Sequence, residues 1–168
     1  PDAPLADGAH ALTVTLTDAA GNESAASPAL ALSIDATAPT GLSIDNVAGA
    51  DNTINAAEAA STTLTGKAEA GATVTLSFGG QTATATADAS GNWSYPLTAA
   101  DLAAMGQGAE TITLTQTDAA GNTSAPVTKA ITVDTAAPAA PVINLVEGDD
   151  TVTSVEAADG VTPVSYTH

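Results

Sequence analysis

The sequence predicts an all-β fold: tandem two-sheet antiparallel β-sandwiches of about 100 residues each, joined by short proline-bearing linkers. Three observations predict it. The chain repeats itself at a period near 100, its apolar residues alternate at period two, and glycine-bearing turns separate the alternating runs.

The repeat is legible by eye. DGAHALTVTLTDAAGNESAASPALALSIDATAPT from Asp7 aligns with QGAETITLTQTDAAGNTSAPVTKAITVDTAAPAA from Gln107. Asp118 lies 100 residues after Asp18, and Asp134 lies 99 after Asp35. A second segment, DNTINAAEA from Asp51, matches DDTVTSVEA from Asp149, 98 residues on. The chain therefore divides into the C-terminal part of one repeat (1–35), a complete repeat (36–134) and the N-terminal part of the next (135–168). Both partial pieces are expected to lack strands.

Within the complete repeat, alternation marks strands at Val74, Leu76 and Phe78, at Trp93, Tyr95 and Leu97, at Ile112 and Leu114, and at Ile131 and Val133. The segments GKAEAGA, FGGQ, DASGN and DAAGN carry the residues that tight turns require. Seven or eight strands in two sheets result. TAADLAAMG breaks the alternation; Thr98 is placed as an N-cap and Gly106 just past a helical turn. The joints ATAPT (36–40) and TAAPAAP (135–141) are short and stiff, because proline fixes φ and disfavours helix before it.

Composition narrows the function. Two Lys and Arg face nineteen Asp and Glu, a formal charge of −17. Nucleic acid and anionic membranes need a basic patch and are excluded as partners. Cysteine is absent, and the aromatics are Phe78, Trp93, Tyr95 and Tyr166 alone. A thin aliphatic core without disulfides leaves metal ions as the available cross-link. No run of about 18 apolar residues is present to insert in a membrane, and the first residues do not read as a signal peptide. The segment is expected to be soluble, with any targeting signal lying elsewhere.

A strand, a D-x-A-G-N turn, a strand ending in aspartate and a T-A-P joint together resemble the immunoglobulin-like repeats of giant type I-secreted bacterial adhesins and biofilm-associated proteins. The resemblance covers nearly the whole chain. It implies a structural extender on the bacterial cell surface, outside the cell, serving adhesion and biofilm formation. Its partners are neighbouring repeats of the same chain and other copies of the adhesin. It also implies calcium (Ca2+) at the inter-repeat joints. The matching residues are Asp18, Asp35, Asp51 and Glu58 at the first joint, and Asp118, Asp134, Asp149 and Glu156 at the second. Calcium takes six to eight oxygen ligands. The bland alternative also stands: an aspartate opens a turn by an Asx hydrogen bond, and loop acids are simply solvated.

Other chemistry is sparse. The two histidines, His10 and His168, lie near the ends, and no cysteine nucleophile or G-x-S-x-G elbow occurs, so the chain does not read as an enzyme. Trp93 and Tyr95 read as core ahead of a sugar platform. Thr111, Thr113, Thr115 and Thr117 read as an exposed strand face ahead of a water-ordering one. Asp45, Asp88, Asp101 and Asp150 are weaker ligand candidates. The competing function is a carbohydrate- or protein-binding immunoglobulin-like module that is itself the adhesive unit.

Overall fold

The structure, a computed structural model, describes residues 5–49 and 51–142. Two compact units divide the chain, Pro1–Ala136 and Ala137–His168. In the first, alternation becomes sheet as the sequence predicts. Strands β1 (Gly8–Leu12) and β2 (Leu30–Ile34) pair antiparallel with each other. Residues 36–134, which the sequence reads as the complete repeat, supply β3 (Thr53–Asn55), β4 (Thr63–Lys67), β5 (Thr73–Phe78), β6 (Gln81–Thr86), β7 (Asn92–Pro96), β8 (Gly108–Thr117) and β9 (Val127–Asp134). These form a five-stranded sheet in the order β3-β9-β8-β5-β6 and a β4-β7 sheet. The chain at 43–45 extends the smaller sheet: Ser43 N donates to Lys67 O and Asp45 N to Thr65 O, both at 2.8 Å.

The core lies between the two sheets. Leu64 and Trp93 from one face pack with Val74, Leu76, Ile112, Leu114, Ile131 and Val133 from the other. These inward positions are aliphatic because period two sends every second side chain to the same face. The outward residues of β5, β6 and β8 are almost all threonine, in register as Thr86, Thr73 and Thr117 and again as Thr84, Thr75 and Thr115. Trp93 is 2% exposed, so it is core. Its Nε1 donates to Ser43 O at 3.1 Å and Lys67 O at 3.2 Å, fastening the 43–45 segment to β4. In β1–β2 the matching apolar residues have only each other: Leu12 and Leu32 are 44% and 39% exposed, against 0% and 4% for Ile112 and Ile131.

Helix α1 (Ala99–Met105) forms where the alternation breaks. Thr98 and Asp101 make a capping box: Asp101 N donates to Thr98 Oγ1 at 3.2 Å, and Thr98 N to Asp101 Oδ2 at 2.8 Å. Among the described residues no helix is long and apolar enough to cross a membrane.

The register defines two ends of the five-stranded sheet. Thr86, Thr73 and Thr117 stand together at one, the head; Gly108, Val133 and Asn55 stand at the other, the tail. Both DASGN and DAAGN turns follow head-end residues.

Gly66 marks the tightest point between the 43–45 segment and β4. A Cβ there would lie 2.1 Å from Ser43 O and 2.9 Å from the Trp93 ring. Gly66→Ala is expected to destabilise the repeat by about 1–3 kcal/mol or more, the range for overpacking, read as a lower thermal midpoint with loss of the Trp93 near-ultraviolet signal. An unchanged melt would mean that this close approach does not exist.

Candidate functional site

The site begins with a five-residue turn that occurs three times. In Asp118–Asn122 the Asp118 Oδ1 accepts from Ala120 N and Asn122 N, each at 2.9 Å. Its Oδ2 accepts from Asn122 Nδ2 at 2.9 Å. Backbone bonds close the loop, with Asp118 N donating to Asn122 O and Gly121 N to Asp118 O. Gly121 takes φ 97°, a conformation that side chains resist, which is why glycine stands fourth. Asp18–Asn22 and Asp88–Asn92 repeat this arrangement within about 0.2 Å in the shared side-chain bonds.

These donors stabilise the charged carboxylate. The Asn122 amide, followed by the turn's backbone N–H groups, holds Asp118 below the usual aspartate range, and the slight burial of the group opposes this. Asn22 does the same for Asp18, and Asn92 for Asp88.

What distinguishes the Asp118 turn is its neighbour. Asn122 Nδ2 also donates to Asp35 O at 3.1 Å, with Asp35 Oδ1 at 3.4 Å. Asp35 ends the preceding repeat, so the turn of one repeat touches the last residue of the one before. Asp7 stands at the same place: its Oδ1 accepts from Ala36 N at 2.9 Å, and its Oδ2 accepts from Thr37 Oγ1. At the other end of the complete repeat Gln107 takes the place of Asp7. Its Oε1 accepts from Thr135 N at 2.9 Å, and its Nε2 donates to Thr135 Oγ1 at 2.7 Å.

This placement corrects the grouping read from the sequence. Gly8 pairs with Ile34 and Gly108 with Val133, so the strand that leads to a DAAGN turn starts beside the aspartate that ends the same repeat. The ten residues of β8 separate Asp118 from Asp134, about 30 Å at 3.3 Å per residue. Asp118 therefore joins Asp35 and not Asp134, and Asp18 belongs with neither Asp35 nor its joint. Glu58 also moves, while Asp51 is engaged locally. Asp51 accepts from Thr53 N at 3.0 Å, and Glu58 Oε2 accepts from Asn55 N at 3.2 Å. Asn55 faces Asp134 in register, which sets Glu58 at the tail and away from Asp35. Asp149 and Glu156 lie outside the described residues. Asp7 was missed, although its D-G start aligns with Gln107 and so with the joint.

The donor set at the first joint is hard oxygen: the carboxylates of Asp7, Asp35 and Asp118 and the carbonyl of Asp35. That chemistry suits calcium more than any soft metal. The count does not close on a cage, because among the described residues no three acidic or imidazole side chains converge to hold a metal ion. Three of roughly four lone-pair sites on Asp118 already accept N–H groups, so it has one left to give.

Residues 48–134 match the bacterial Ig domain family, and residues 1–36 match a bacterial Ig-like domain family. Among solved structures, a Ca2+-stabilized adhesin with which an Antarctic bacterium binds ice is 37% identical over 90% of this chain, with a TM-score of 0.45. A 1.5-MDa bacterial ice-binding adhesin, solved for its retention at the host cell surface, is 35% identical over 77%, with a TM-score of 0.43. An immunoglobulin-like domain from the M. primoryensis ice-binding adhesin is 39% identical over 54% of this chain and 93% of its own, with a TM-score of 0.39. The chain spans 38% and 43% of the first two. No curated protein matches it.

The depressed turn carboxylates set a pH dependence. A folded pKa below the unfolded one contributes stability above the unfolded value and loses it as pH falls through the folded one. Carbon-detected NMR titration is expected to put Asp18, Asp88 and Asp118 below ordinary aspartate, with the Ala120 and Asn122 amide shifts moving at the Asp118 midpoint. Ordinary midpoints would show that the turn does not use the carboxylate.

Proposed function

The chain belongs to the bacterial Ig-domain family, and from that premise we propose that it is a spacer: tandem repeats that extend a large bacterial cell-surface adhesin, with calcium at the inter-repeat joint, in the service of adhesion and biofilm formation. The observation that carries this reading is the meeting of Asp35 with the Asp118 turn across the joint. Asp7, Asp35 and Asp118 all border the joint, and any two of their carboxylates that close on one another there would repel by about 1 kcal/mol or more per close pair at surface dielectric. A dication removes that repulsion and draws the repeats together.

Asp7, Asp35 and Asp118 would hold the ion, with the Asp35 carbonyl and waters completing six or more oxygens. Solved relatives that are named as Ca2+-stabilized or ice-binding adhesins support the assignment at 35–37% identity. The reading places the chain outside the cell, where calcium is plentiful, and its partners are the adjoining repeats. It assigns no catalysis: the chain offers two histidines and no cysteine, and none of these joint residues forms a nucleophile with a positioned base. The tail of residues 36–134 presents Asp134, with Gln107 standing where Asp7 stands at the first joint.

Calorimetric melting in ~10 mM calcium and then in chelator tests the reading. For a site in the extracellular range of about 10⁻⁴–10⁻³ M, calcium adds about 1.4–2.7 kcal/mol. Asp35→Ala and Asp7→Asn are each expected to remove most of the gain. Superimposable melts with and without calcium would overturn the calcium spacer.

A further inference from the structure

Gln116 is the one fully buried polar side chain of large size in the described core, at 0% exposure, and it lies in a row of aliphatic residues on β8. Both ends of its amide are used. Oε1 accepts from Glu69 N at 2.8 Å, and Nε2 donates to Thr40 O at 3.0 Å. Its backbone is bracketed too: Gln116 N donates to Ser124 Oγ at 3.1 Å, and Ser124 N returns to Gln116 O at 2.9 Å. A buried amide costs free energy unless every polar atom is paired, so its partners are held as firmly as it is.

Thr40 is the last residue of the joint between the repeats, and Asp35 stands immediately before its first. Asn122 grips Asp35 and Gln116 grips Thr40, both through side-chain amides and both from the two ends of the same turn region. Pro39 is buried between them. The joint is thus stapled at both ends to the head of the complete repeat.

We infer that Gln116 and Asn122 form a metal-independent latch that fixes the direction in which one repeat leaves the next, with Gln116 the positioning residue. The inference rests on the spacer reading for its purpose but on no ion for its action. Calcium then adds to an orientation the chain has already set. The preceding repeat keeps the turn amide, Asn22, but has Leu16 where Gln116 stands, and leucine offers no hydrogen bond to a joint carbonyl. Joints therefore differ along such an array. The residue two places before the DAAGN aspartate marks which are latched: glutamine for a fixed joint, leucine for a compliant one.

Nitrogen-15 relaxation of the full chain in chelator tests this. In the wild type, the joint amides of residues 36–38 and 40 are expected to match β8, with order parameters near 0.85, and in Gln116→Leu to fall below about 0.6. Leucine fits the aliphatic row on β8 and is native to the sister repeat, so the Trp93 signal should persist. Asn122→Ala should loosen the Asp35 end alone. Joint amides as rigid in Gln116→Leu as in wild type, with the core intact, overturn the latch. Should that variant not fold, wild-type Gln116 decides: side-chain amide protons that exchange slowly uphold the latch, and free exchange overturns it. Adding calcium to the wild type separates the two readings, since a null calcium effect defeats the metal while leaving the latch intact.

Discussion

The joint depends on a carboxylate that first satisfies its own turn. Asp118 collects two backbone N–H groups and the Asn122 amide, and this closes a loop whose backbone at position 121 takes a φ of 97°, which glycine adopts without strain. Because the loop is closed from within, Asn122 is aimed before any neighbour arrives. Its remaining amide proton then has one place to go, the carbonyl of Asp35. An exposed hydrogen bond is worth little alone. Here it is backed by a buried one at Thr40, where the penalty for an unpaired amide makes the contact obligatory.

The same turn at Asp88–Asn92 shows what the motif does without a neighbouring repeat. Its internal geometry is the same, yet Asn92 receives Lys67 Nζ from β4 within its own repeat. The motif is a rigid presenter of an asparagine amide. What it presents the amide to is decided by position in the fold, not by the five residues themselves.

This explains which features were legible in the sequence. Period-two alternation and turn glycines gave the strands, because they act within a few residues; Trp93 as core and Thr98 as a cap follow from equally local rules. The chemistry of the joint was legible as a class, acidic oxygen at repeat boundaries. Its membership was not. A period of 100 shows which residues are equivalent but not which equivalent copies meet, and a ladder of antiparallel strands sends the turn and the terminal aspartate of one repeat to opposite ends. Glu58 was misplaced for the same reason, since the parallel pairing of β3 with β9 carries it toward Asp134. Gln116 is not legible as core in the sequence, because a polar residue breaks the apolar stripe that alternation reads. Only its alignment with Leu16 signals that the position faces inward.

The pairing of β3 with β9 has a mechanical consequence. These are the first and last strands of the complete repeat's large sheet, and they run parallel, with Thr53, Ile54 and Asn55 beside Thr132, Val133 and Asp134. The evenly spaced bonds of a parallel pair lie across the direction of pull when the chain is tugged from its two ends. Once the 43–45 segment has been drawn off β4, tension loads them together in shear and cannot peel them one at a time. A short strand of three residues can in this way act as the tensile lock of the whole domain.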